Sequence, residues 1–104
     1  MKRQSPQLPD NRRAQILGAA VQLARHQRFD TLTRAQIAEA AQVAVGTVSH
    51  ACGPMRAVRD GILRRAITDN VLEVIADGLA IRNPIARNET TERQRLAALS
   101  TLTH

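Results

Sequence analysis

At 104 residues the chain is of single-domain length, enough to bury a core and leave little over for a second module. Its apolar residues are mostly Ala, Leu, Ile and Val, with one Phe and no Trp or Tyr, which suits closely packed helices and argues against a sheet. The formal net charge of +6 favours an anionic partner, the single Cys excludes an internal disulfide, and no apolar run reaches the ~20 residues of a membrane span.

The positive charge is unevenly placed. From Met1 to Arg28 six basic residues (Lys2, Arg3, Arg12, Arg13, Arg25, Arg28) face one acid, Asp10, for a net of +5, and the rest of the chain adds only +1. A protein that approaches phosphates needs such a concentrated field. Met1 to Leu8 lacks the apolar stretch of a signal peptide, so a cytoplasmic, nucleoid-associated protein is expected.

In chain order, residues 1–9 are polar with two prolines and read as a flexible basic arm. Asp10 is expected to cap a first helix running to about Gln27, its apolar set (Ile16, Leu17, Ala20, Val21, Leu23, Ala24) recurring at three- and four-residue spacing. Arg12 and Arg13 fall in its first turn, where cations oppose the helix dipole unless a phosphate lies nearby. Phe29 and Leu32 bracket a short connection.

Thr33-Arg34-Ala35-Gln36 then fits a capping box, starting a second helix from Arg34 to about Ala41. Gln42-Val43-Ala44 is the expected turn, and Val45 to about Ala51 a third helix stopped by Gly53. Pro54 suits the start of a fourth. That helix is predicted to run unbroken to about Arg82, with Gly61 and Gly78 inside it, until Asn83-Pro84 ends it. A last helix starts after Thr90 or Thr91, with Glu92 in its first turn, and is expected to bury Leu96, Leu99 and Leu102.

The stretch Thr33 to Gly53, TRAQIAEAAQVAVGTVSHACG, carries the functional signal. A helix-turn-helix needs a small residue where its two helices touch, here Ala38. It needs an apolar anchor in the turn, here Val43, and another inside the recognition helix, here Val48. Ile37 and Ala41 complete the inner face.

With Ile16-Leu17, Ala19-Ala20 and Phe29 ahead of it, the run from Ile37-Ala38-Glu39 through Gly46-Thr47 to Gly53 resembles the N-terminal domain of TetR-family transcriptional regulators. The resemblance covers roughly Arg12 to Leu63. It implies an all-α, TetR- or homeodomain-like helix-turn-helix bundle, here with a long fourth helix and a short C-terminal helix. It also implies a dimer that places residues 44–50 in adjacent major grooves of a palindromic operator, residues 10–53 being the DNA-binding domain and 54–104 a helical dimerisation segment.

Several positions depart from the family pattern. Gln42 stands where Gly is usual, so the turn must be strained or altered. Ala44 and Val45 replace a frequent Ser and Lys, removing a cap and a phosphate contact, while Ser49, Ala51 and Cys52 replace Tyr, His and Phe. Thr47, Ser49 and His50 remain as polar readers of phosphate or base edges, and Val45 can touch a thymine methyl. Arg34 and Arg56, with Arg59 beside it, extend a basic rim from Arg12 and Arg13. The expected DNA-binding set is therefore Arg12, Arg13, Arg34, Ala44, Val45, Thr47, Ser49, His50 and Arg56.

No Gly-rich phosphate loop, nucleophile elbow or metal-ligand spacing is present, so neither an enzyme nor a cofactor is expected. Beyond the reading head about fifty residues remain, from which a dimerising stalk is expected and a small-molecule effector is not. Double-stranded DNA and a second copy of the chain are the expected partners. The same departures also fit a rival, a shortened regulator whose helices bind another protein. A nonspecific nucleic-acid binder led by the arm is a third reading.

Overall fold

The computed structural model describes residues 9–103, which form seven α-helices and no strand. The helices are α1 (Pro9–Ala24), α2 (Arg34–Ala41), α3 (Val45–Cys52), α4 (Met55–Thr68), α5 (Leu72–Ala80), α6 (Pro84–Asn88) and α7 (Glu92–Ser100). Short 3-10 turns occupy Phe29–Thr31 and Thr101–Thr103. All but the last residue of the expected arm lies outside the described residues. Pro9 itself already belongs to α1, so Asp10 sits inside that helix rather than capping it. The helix also closes at Ala24, three residues earlier than the pattern predicts, because residues 25–27 turn off towards Phe29.

Helix α2 begins as its sequence demands. The Thr33 Oγ1 accepts from the Gln36 amide at 3.1 Å, and the Gln36 Oε1 accepts from the Thr33 amide at 2.9 Å. Helix α7 uses the same device: Thr91 and Gln94 exchange two bonds of 3.0 Å, which settles the cap on Thr91. Thr90 is instead buried, donating its hydroxyl to the Ala86 carbonyl at 2.6 Å.

The long fourth helix does not exist as one element. It breaks after Thr68, and the chain restarts as α5 at Leu72. Asn70 adopts a left-handed φ of 57°, and the Val71 amide donates back to the Ala66 carbonyl at 2.8 Å. This is a Schellman closure, which hides the last carbonyls of α4 and turns the chain. An identical closure at Arg82 (φ 58°) ends α5, the Asn83 amide reaching the Gly78 carbonyl at 2.9 Å. Asn83-Pro84 then starts a further helix instead of only ending one: the Asn83 Oδ1 accepts from the Ile85 amide at 2.8 Å.

One apolar core joins the two halves of the chain. Ile16, Val21, Phe29, Leu32, Ile37, Val48, Val58, Ile62, Leu63 and Val74 are its largest wholly buried members, and Ile85 and Ala86 close it. Packing therefore continues across Gly53 without a gap. A smaller cluster of Ile75, Ala76 and Ala98 holds α7 on α5.

Leu96, Leu99 and Leu102 do not enter either cluster, being 61%, 45% and 51% exposed. Helix α7 turns Gln94 and Ala98 inward instead. The Gln94 amide donates to the Ile67 carbonyl at 3.0 Å, and the small Ala98 lets the helix sit close to α5. The leucines are left on the outer face.

Candidate nucleic-acid interface

Helices α2 and α3, each of eight residues, are joined by Gln42-Val43-Ala44. Ala38 is buried at their junction, Val43 packs against the core, and Val48 and Cys52 hold α3 down. Gln42 carries the strain that its side chain foretells, with φ 61° and ψ 45°, and the Val43 amide closes the turn on the Ala38 carbonyl at 3.0 Å. Ala44 stands at the N-cap of α3 with no side-chain cap, leaving the first amides of that helix unmet by side chains. Gly53 ends α3 at φ 82° and ψ −157°, a conformation essentially confined to glycine.

Because Val48 and Cys52 face inward, the opposite side of α3 is open to solvent among the described residues. Ala44, Val45, Gly46 and His50 are exposed, whereas Thr47 and Ser49 are half-buried at the edges of that face. A β-carbon at Gly46 would meet nothing within 4 Å, so the glycine serves no internal packing. Burial pushes the Cys52 thiol above its ordinary range, so it stays a neutral packing group, and the nearby Arg13 guanidinium pulls it only partly back.

The expected basic residues fall into different settings. Arg13 is exposed but lies along α4, its Nη2 3.1 Å from where a Gly61 β-carbon would stand. Arg56 is exposed at the start of α4, and Arg12, Arg34 and Arg59 are half-buried. The Nε atoms of Arg34 and Arg59 are buried without a hydrogen-bond partner. Among the described residues none of these five arginines forms an ion pair, whereas Arg25, Arg28, Arg64 and Arg65 are paired with Glu73, Asp30, Glu89 and Asp69. Among the described residues Arg82, Arg87 and Arg93, far along the chain, form no ion pair either, so unpaired arginine is not confined to the expected set.

The chain matches no family model, no curated protein and no solved structure. Among the described residues no three His, Cys, Asp or Glu side chains gather as metal ligands would, and no helix is long and apolar enough to cross a membrane.

One pocket escaped the sequence. Phe29, Arg56, Arg59, Asp60, Ile81 and Ile85 line a pocket of about 420 Å³ between the start of α4 and the α5–α6 connection. It was invisible because α6 was not expected, although Asn83-Pro84 is as good a helix start as it is a stop.

Proposed function

We propose that the chain is a sequence-specific DNA-binding transcriptional regulator of TetR-like type, a homodimeric repressor that acts by occupying its promoter. The observation that supports this reading best is α3, a short helix pinned by Val48 and Cys52 whose opposite face is exposed at Val45, Gly46 and His50 among the described residues. An exposed helix that follows a tight turn, near arginines without partners, is what a major groove accepts. Thr47, Ser49 and His50 are assigned to phosphate or base edges and Val45 to a thymine methyl. Arg12, Arg34 and Arg56 are assigned to the flanking phosphates, and the copy-to-copy contact to α7.

Selection of bound sites from a random duplex library, followed by gel shift on the winner, tests the reading. The selected site is expected to be palindromic, with half-sites about one helical turn apart. Binding weakens steeply with salt and is lost in the Thr47→Ala/His50→Ala variant. Equal affinity for random and selected duplexes would leave only a nonspecific binder. The rival protein-interaction module draws on the uncapped Ala44 and on Val45, which is 48% exposed. A stoichiometric protein partner whose binding survives Arg12→Gln/Arg13→Gln would favour it.

A further inference from the structure

We propose that the groove between α5, α6 and α7 docks an acidic, leucine-bearing segment of another protein. Leu79, Arg82, Arg87, Asn88, Arg95 and Leu99 line it around a volume of about 560 Å³, and no carboxylate is among them. The candidate DNA face is built elsewhere: α3 packs on α1, α2 and α4, whereas the groove belongs to the last three helices. The inference is therefore independent of the DNA reading.

The three arginines set the sign of the occupant. Arg82 and Arg87 are exposed, and among the described residues neither guanidinium forms an ion pair or a hydrogen bond. Arg95 is half-buried and held in place. Its Nη1 donates to the Thr90 carbonyl at 2.7 Å, the Thr90 Oγ1 at 3.2 Å and the Arg87 carbonyl at 3.4 Å. The Nε and Nη2 of Arg95 make no such bond and stay accessible to solvent. Glu89, next along the chain, is already taken by Arg64 through bonds of 2.9 and 2.8 Å. Clustered guanidinium groups without a counter-charge favour carboxylates, to which each can donate two parallel bonds.

The rest of the lining favours a protein segment. Leu79 is half-buried and Leu99 is 45% exposed, so apolar surface lies among the cations. A leucine side chain would cover that surface, whereas a phosphate backbone would not. Asn88 is exposed and offers an acceptor as well as donors, which suits peptide amides; a phosphate needs donors alone. No aromatic ring is there to stack on bases, the single Phe being buried in the core. A second copy matches poorly in charge. Each copy carries +6, and its Asp30, Asp69, Glu73 and Glu89 are already paired with arginines of their own chain.

The full chain, labelled with ¹⁵N and methyl ¹³C, is titrated with a short synthetic peptide that alternates Glu with Leu. Saturable shifts are expected at the Leu79 and Leu99 methyls and at the Arg82, Arg87 and Arg95 side chains. A Gln-for-Glu peptide lacks the charge, a Ser-for-Leu peptide lacks the apolar body, and each should bind about tenfold more weakly or worse. Arg82→Gln/Arg87→Gln should weaken the acidic peptide by about tenfold or more, while Arg12→Gln/Arg56→Gln, outside the groove, leaves it unchanged. Absence of saturable binding, shifts that map elsewhere, or an equal loss in both variants overturns the proposal. Duplex DNA that moves these same signals at lower concentration than the peptide would give the groove to nucleic acid. Because Leu99 borders the face assigned to copy-to-copy contact, each variant is also sedimented. A groove variant of altered mass would give the groove to a second copy, and either outcome overturns the proposal. A chain that binds the peptide but no DNA sinks the DNA reading and leaves the groove standing.

Discussion

A β-carbon placed on Gly78 would lie 2.9 Å from the β-carbon of Ala86, so α5 and α6 approach as closely as their backbones allow at that point. Leu63 of α4 closes the same spot, its methyl carbons 3.0 and 3.1 Å away. On helix propensity alone Gly78→Ala should stabilise by about 0.5–1 kcal/mol. Here the overlap is with a short, unyielding side chain, and overpacking costs about 1–3 kcal/mol. Urea unfolding should therefore show Gly78→Ala less stable than the native chain. Ala86→Gly in the same chain should recover part of the loss, a coupling that a double-mutant cycle measures.

Gln42 predicts the opposite sign. Its left-handed φ of 61° costs a β-carbon-bearing residue about 1–2 kcal/mol relative to glycine, and its side chain is exposed with no hydrogen bond to lose. Gly costs some of that back in unfolded-chain entropy. Gln42→Gly is expected to raise stability by about 0.5–1 kcal/mol in urea titrations. A loss of stability would mean the turn holds Gln42 by something other than backbone geometry.

The same three left-handed closures explain where the sequence could be read and where it could not. Helix α2, its turn and α3 were legible because Thr33 and Gln36 announce a start, Ala38, Val43 and Val48 fix the inner face, and Gly53 marks a stop. The ends at Asn70 and Arg82 carry no glycine, so the apolar repeat from Val58 to Ile81 reads as one helix. The leucines of α7 misled for a different reason. Their spacing marks a face correctly, but Gln94 and Ala98 win the inner position through a hydrogen bond to Ile67 and through close packing. In the candidate interface, Ala44 and Val45 were readable as missing contacts, whereas the pocket beside Arg59 depends on α6, which periodicity did not reveal.

Asp77 links stability to pH. Partial burial raises its carboxyl above the ordinary aspartate range, Arg28 opposes the shift, and Asp30 adds to it. The folded chain therefore binds this proton more readily than the unfolded chain does. The cost of holding a charged Asp77 is present above its folded pKa and fades as pH falls through that value. Asp77→Asn should raise the urea midpoint at about pH 7, and the gain should shrink by about pH 4. A gain that is constant across that range would point to packing and not to charge.

The arginines can be sorted by salt dependence. Replacing Arg34 or Arg56 with Gln should reduce the slope of log affinity against log salt by about 1 each, if each neutralises one DNA phosphate. Arg64→Gln serves as the control. Its guanidinium is already committed to Glu89 by two hydrogen bonds, so the slope should stay where it is. An equal fall in all three would mean that net charge, and not a defined rim, sets DNA affinity.

Helix α7 makes the last prediction. Leu96 and Leu99 lie three residues apart with most or nearly half of each in solvent, so a single copy gains little from either. In a homodimer closed through this face, two leucines from each copy would be buried. At about 1.5–3 kcal/mol for a full burial, even partial coverage supplies several kcal/mol, or several powers of ten in the dimer Kd. Leu96→Gln/Leu99→Gln should therefore yield a monomer by sedimentation while the helical signal of the isolated chain is kept. If the chain reads DNA as proposed, operator binding should then fall to the affinity of one half-site, because the two copies of α3 no longer arrive together. A variant that stays dimeric would move the copy-to-copy contact off α7. One that becomes monomeric yet binds the full operator as before would separate dimerisation from DNA reading altogether.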